Sequence, residues 1–111
     1  MRTIKSSSDF ERVFSTGKRI RGRLFTTIIA ATPEQRGPSG RVAFAAGKRL
    51  GNAVLRNRCK RVMRAGVQRL GGPWDGWDVL FVARRQVAHA DPEEIDELMR
   101  RALRRAGVLL P

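Results

Sequence analysis

The sequence contains no tyrosine, one cysteine (Cys59) and one histidine (His89). A lone cysteine excludes an internal disulfide framework, and one cysteine with one histidine excludes a zinc site of the usual Cys/His kind. Long apolar runs are missing as well. The longest stretch without a charge is Leu24 to Pro33, ten residues, about half of the roughly 20 apolar residues that a membrane-spanning helix needs. The first residues, Met1-Arg2-Thr3-Ile4-Lys5-Ser6, contain no apolar segment of the kind a secretory signal carries. That feature and the single cysteine together point to a reducing cytoplasm. Acid is scarce too: 10 Asp and Glu stand against 23 Lys and Arg, a net charge of +13 on 111 residues.

That length supports one domain, residues 1–111, and the hydrophobic share of 41% allows a modest core. The excess charge would repel itself in a compact state unless a polyanion neutralised it. Nucleic acid is the first candidate partner and an anionic membrane surface the second. The charge is also uneven. Residues 1–40 carry a net +5, residues 41–70 a net +9 with no acid at all, and residues 71–111 a net −1. A disordered basic tail would lack apolar residues at helical spacing. The middle segment has them, so its charge is displayed on a folded element.

Ser8-Asp9-Phe10-Glu11 is a capping-box pattern, and Phe10, Val13 and Phe14 fall on one helical face. A first helix is predicted from about Asp9 to Thr16, stopped at Gly17. Leu24–Ile29 is β-branched and aromatic, hence a strand, with Ile20 in a short strand before it. Pro33 to Gly40 reads as a surface loop, and Arg41–Ala46 as a second strand with Val42 and Phe44 on one face. These two strands are expected to pair through the loop as a hairpin. Asn52 caps a helix over about Ala53 to Leu70, which Gly71-Gly72-Pro73 ends. Trp77–Ala83 is an apolar buried strand, and Asp91-Pro92-Glu93-Glu94 opens a last helix that Gly107 closes. The order is α-β-β-(β)-α-β-α. A helix separates the Phe44 and Phe81 strands, so those two can be parallel neighbours joined by a crossover. The fold class is α+β, a small sheet with helices packed on it.

The central helix has two faces at 100° per residue. Leu55, Cys59, Val62, Met63, Gly66 and Leu70 fall within one arc, and Cys59 is read as a small core residue. Arg56, Lys60 and Arg64 form an i, i+4, i+8 stripe that is expected on the exposed side, with Asn57 and Arg61 beside it and Arg58 towards the far edge. Such neighbours lie about 5–6 Å apart, a phosphate-scale spacing, and like charges so placed repel one another. Ordinary solvated helix faces mix signs, as the last helix does with Glu93, Glu94, Asp96 and Glu97 among its arginines. A polyanionic partner is the simplest reason to tolerate a face of one sign. Phe10 and Phe14 admit two readings: stacking on splayed bases, or packing the first helix onto the sheet. Phe25 and Phe44 are open in the same way, while Trp74, Trp77 and His89 read as ordinary packing and loop residues.

The stretch Lys48-Arg49-Leu50-Gly51-Asn52-Ala53-Val54-Leu55-Arg56-Asn57-Arg58-Cys59-Lys60-Arg61 resembles the protein subunit of bacterial ribonuclease P. That family carries a G-N-A-V-x-R-N-R-x-K-R-x-x-R block, and each fixed position is present here, ending at Arg64. The Asp9–Phe14 helix, the strands and the capped last helix fall where the family has them. The resemblance implies a ribosomal-protein-like α+β fold with the basic helix in a left-handed βαβ crossover. It implies a holoenzyme that removes the 5′ leader of precursor tRNA, with catalysis by a partner RNA and its Mg²⁺. It implies RNA contacts at Lys48, Arg49, Asn52, Arg56, Asn57, Arg58, Lys60, Arg61 and Arg64. It further implies a leader cleft between the sheet and the basic helix, lined by Phe10 and Phe14 and, more weakly, by Phe25. One departure is visible: Ile28 stands where some members have a strand tyrosine.

The residues agree that the protein is not itself the catalyst. Hydrolysis by a protein would need carboxylates for two metals or a positioned acid–base pair, and residues 41–70 contain no acid. No metal site on the protein alone is expected. The expected partners are ribonuclease P RNA and precursor tRNA, with no membrane and no DNA, since base-reading and dimer features of a DNA-binding module are not evident. The alternative is a structural ribosomal-type RNA-binding protein without processing activity.

Overall fold

The structure, a computed structural model, describes residues 1–110. Its elements run α1 (Ser7–Thr16), β1 (Lys18–Arg21), β2 (Phe25–Ala31), β3 (Arg41–Ala45), α2 (Ala53–Arg69), β4 (Trp77–Ala83) and α3 (Pro92–Arg105). Single 3₁₀ turns cover Glu34–Arg36, Lys48–Leu50 and Arg85–His89.

The strands form one sheet in the order β1-β2-β4-β3. The expected hairpin between β2 and β3 does not form. β4 lies between them, antiparallel to β2 (Phe25 opposite Ala83, Ala31 opposite Trp77) and parallel to β3 (Arg41 opposite Asp78, Ala45 opposite Val82). The hairpin in the sheet is instead β1–β2, with Lys18 opposite Ile29 and Arg21 opposite Thr26. Burial explains the exchange. Val79, Leu80 and Phe81 are wholly buried, and consecutive strand residues point to opposite faces, so β4 needs cover on both sides and takes a central place. The loop from Thr32 to Gly40 spans the one intervening strand. The β3–α2–β4 crossover joins parallel neighbours, as the order of elements predicts.

Helices cover both faces of the sheet. Phe25, Ile29, Val42, Val79 and Phe81 share one core with Cys59, Met63 and Val67 of α2 and with Ile95, Met99 and Leu103 of α3. Ile28, Ala43 and Leu80, pointing the other way, pack under Val13 of α1. Gly66 lets α2 and α3 approach: a Cβ there would lie 3.1 Å from both Ile95 Cγ2 and Met99 Sδ.

The first helix starts two residues before the expected point. Ser6, not Ser8, is the cap, and its hydroxyl accepts from the Asp9 amide at 3.4 Å. Three consecutive serines could each serve. The chain just before them is tied to β3, with the Ile4 amide donating to the Val42 carbonyl at 2.8 Å, so the first serine after that tie is the one that caps. At α2 the expectation holds: the Asn52 side chain accepts from the Leu55 amide at 2.9 Å. Gly51, immediately before it, has φ +146°, a conformation that only glycine adopts without strain.

Candidate nucleic-acid interface

Lys48 and Arg49 are exposed on the 3₁₀ turn that leads from β3 into α2. Asn52, Asn57, Arg58, Arg61 and Arg64 are exposed on α2 and its cap. Arg56 and Lys60 are half-buried, which corrects the expected stripe. The buried arc centres on Cys59, Met63, Gly66 and Val67, and at 100° per residue Arg56 falls only about 40° from that centre. Arg56, Lys60 and Arg64 therefore climb one flank of the helix, towards the β3 edge, and Arg61 stands at the crest. At the top of the flank the Arg64 guanidinium lies 5.5 Å from the centroid of the Phe44 ring in β3, within cation–π range.

The decisive property of this surface is its lack of internal counter-charge. Among the described residues, none of Lys48, Arg49, Arg56, Arg58, Lys60, Arg61 and Arg64 forms a salt bridge; of the nine cations between 41 and 70, only Arg41 and Arg69 do. Arg58 is partly committed to the fold, since its Nε donates to the Ala88 carbonyl at 2.6 Å and so holds the 3₁₀ turn after β4 against α2.

Phe10 and Phe14 lie elsewhere, on α1 and the opposite face of the sheet. Their rings stack at 6.2 Å between centroids, inclined by 12°. Phe10 packs at the margin of the α1 core, whereas Phe14 is exposed. The Arg19 guanidinium sits 4.5 Å from the Phe14 centroid, anchored by its Nη2 donating to the Phe14 carbonyl at 2.6 Å. The sheet face beside them carries half-buried Thr26, Ala45 and Val82.

Two expectations fall here. No cleft separates the sheet from the basic helix, because Cys59, Met63 and Val67 of α2 are packed into the core that the sheet lines. Phe25 is not a partner of Phe10 and Phe14. It is only 3% exposed, on the face covered by α2 and α3, with its ring edge-on to Phe81 at 5.7 Å. The period of two along β2 sends Phe25 and Ile28 to opposite faces. Ile28 is fully buried beneath α1 and offers no stacking surface.

An ionic cluster on the α1 face was not anticipated from the sequence. Asp78 of β4 is fully buried. Its carboxylate accepts from Arg12 Nη2 at 2.5 Å, from Arg41 Nη2 at 3.3 Å and from the Thr32 hydroxyl at 3.1 Å. Asp9 adds contacts to Arg41 at 3.2 Å and Arg36 at 3.6 Å. The signal was present: a carboxylate in an otherwise apolar strand must find cations when both faces are covered. Both acids are thus engaged with arginine. Among the described residues, no group of three or more His, Cys, Asp or Glu side chains gathers as a metal site would require. Cys59 is fully buried, and that burial raises its thiol pKa, as befits a core residue rather than a nucleophile.

Residues 1–107 of the chain match the family model described as Ribonuclease P. A Bacillus cereus ribonuclease P protein component is 33% identical over 106 residues, covering 95% of this chain and 90% of that protein. The corresponding Bacillus anthracis protein is also 33% identical, covering 95% and 87%. Among solved structures, the RNase P protein of Staphylococcus aureus superposes with a TM-score of 0.80 at 26% identity, covering 97% of each chain. The Thermotoga maritima RNase P protein shares the fold, with a TM-score of 0.77 at 21% identity over 95% of this chain and 97% of that one.

Proposed function

The chain belongs to the ribonuclease P protein component family, and we propose that it is the RNA-binding subunit of a cytoplasmic ribonucleoprotein that removes the 5′ leader of precursor tRNA. The observation that carries this reading is the run of cations from Lys48 to Arg64 that has no carboxylate partner among the described residues. Unpaired guanidinium groups at phosphate spacing bind a polyanion by releasing its counterions, which gives strong and salt-sensitive affinity. α2 and the turn before it hold the catalytic RNA in this reading, and the α1 face holds the leader. Phe14 and the Arg19 guanidinium over it supply planar groups on which unpaired bases stack without regard to sequence. The two surfaces lie on opposite faces of the sheet, so the RNA partner and the leader meet around its edge.

The chain's part is binding and orientation. Mg²⁺ belongs with the RNA in this reading, where it supplies the Lewis acid for phosphodiester hydrolysis. Asp9 and Asp78, the acids of the α1-face cluster, are already occupied by arginines and do not fit a metal. A ribosomal-type structural protein would share the charge and the α+β fold, but the family match and the complete R-N-R block favour the processing role.

The test is reconstitution with the RNA subunit and precursor tRNA at low Mg²⁺. Arg61→Glu with Arg64→Glu reverses two exposed charges without touching the core. Assembly is expected to weaken by about 100-fold at moderate salt, with 5′ cleavage rescued when protein is in excess. Unchanged assembly, or wild-type protein that never stimulates cleavage, would overturn the assignment.

A further inference from the structure

The sheet edge farthest from β3 carries a second unmatched basic surface, and it differs from α2 in having a cavity. Between the β1–β2 hairpin and α3 lies a space of about 210 Å³. Its floor is apolar, from Ile20, Leu24, Phe25, Leu98 and Ala102, and Thr27 also lines it. Thr27 is fully buried, and its hydroxyl has no hydrogen-bond partner among the described residues. Arg21, Arg101 and Arg105 rim the opening. A groove next to the cavity is lined by Lys18, Arg19, Ile20, Arg21 and Arg105. Cavity and groove thus share Ile20, Arg21 and Arg105. Among the described residues, Lys18, Arg19, Arg21 and Arg105 have no carboxylate partner, and Arg101 has only a 3.4 Å contact to exposed Glu97.

An apolar cavity of about 150 Å³ accommodates a benzene ring, so this one has room for a pyrimidine-sized ring. The adjoining groove offers cations and a single apolar side chain. A planar, weakly polar ring joined to an anion matches both parts together, which is the chemistry of a nucleotide. Strand order puts this edge three interstrand steps from β3, roughly 14 Å at the usual strand spacing, and the cavity opens on the face away from Phe14. The cavity is therefore separate from both surfaces assigned above, while the groove borders the Phe14 surface at Arg19.

We propose that this edge is a second RNA contact that captures one unpaired nucleotide, its base in the cavity and its phosphate in the groove. The inference rests on the RNA-binding reading but names a different place on the molecule.

The test irradiates the full chain with a short single-stranded oligouridylate bearing 4-thiouridine and maps the crosslinked peptides. Crosslinks are expected within residues 98–105, besides those in residues 7–19 and 53–69. Ala102→Phe, which fills the cavity, should lower the edge crosslinks about tenfold and leave those on residues 53–69 within twofold. Arg21→Glu with Arg105→Glu alters only exposed groups and should have the same effect, so the test stands even if the filled variant does not fold. Uridine monophosphate should compete at the edge and inorganic phosphate should not. Crosslinks confined to residues 7–19 and 53–69, edge yields unchanged in the charge-reversed variant, or equal competition by phosphate would each overturn the proposal while leaving the RNA-binding reading intact. A chain that crosslinks nowhere would remove both.

Discussion

On the α1 face of the sheet, Arg12, Arg36 and Arg41 share two carboxylates, Asp9 and Asp78. On the other side, Arg56, Lys60, Arg61 and Arg64 of α2 have none among the described residues. Both clusters are cationic and both are built on amphipathic helices that cover the same sheet. The first is arranged inward: Asp78 is fully buried and Arg41 nearly so, so the charges must satisfy one another and thereby fix α1 on the sheet. The second is arranged outward, with no carboxylate among the described residues beside it. Arginine counts do not distinguish a structural cluster from a binding one; the whereabouts of the carboxylates does.

The sharpest break of this comparison is Asp78→Ala. It strands the nearly buried Arg41 with Asp9 alone, and breaking a buried pair typically costs about 3–5 kcal/mol. Urea unfolding should show a loss of that order, while the folded fraction binds RNA within twofold of wild type. A loss below about 1 kcal/mol would mean that the cluster is not structural. Next comes Arg61→Ala at the crest of α2. Stability should stay within about 0.5 kcal/mol, as for surface changes generally. The slope of log affinity against log salt should become shallower by about 0.7 for each single-strand phosphate that is no longer neutralised. An unchanged slope would place the RNA elsewhere.

Arg69 sharpens the contrast from within α2, because among the described residues it is the helix's one cation with a carboxylate partner. It meets Asp96 of α3 at 2.8 Å and is 39% exposed, and the hydrogen bond to Asp96 raises its pKa. Asp96→Ala should cost only about 0.5 kcal/mol, since solvent screens such pairs, and should raise RNA affinity slightly by freeing the guanidinium. A measurable drop in affinity would show that Asp96 positions α2 for binding. The smallest effect concerns the neutral underside of the helix. Burial raises the Cys59 thiol pKa, so the folded chain holds this proton more tightly than the unfolded one. The corresponding stability is complete below the unfolded thiol's value of about 8.5 and is lost as pH rises towards the folded value. Unfolding midpoints at pH 7 and 9.5 should differ less in Cys59→Ala than in wild type.

Much of α2 was legible in the sequence. Asn52 caps it, Cys59 and Met63 face the core, and Trp77–Ala83 forms β4 with the expected bounds, because capping and periodicity are local properties of a few residues. Arg56 lies beside the core, about 40° from the centre of the buried arc, and not on the exposed side expected for its stripe with Lys60 and Arg64. Phe25 could not be assigned to a face until β2 had a register, since a shift of one residue exchanges Phe25 with Thr26. The Asp78 cluster required distant segments to be brought together, Arg12 from α1, Arg41 from β3 and Thr32 from the loop after β2, and no spacing along the chain encodes that meeting.

The order of residues alone determined that one helix would be greasy beneath and cationic above, and that its charge would find no acid nearby in the chain, because both follow from helical pitch and composition. The tertiary structure decided which cations are matched from afar, that β4 rather than β3 lies beside β2, and that Phe14 and Arg61 look out from opposite sides of the sheet. Those outcomes depend on contacts between residues far apart in the chain, where the need to bury an apolar strand on both faces and to neutralise a buried carboxylate outweighs any local preference.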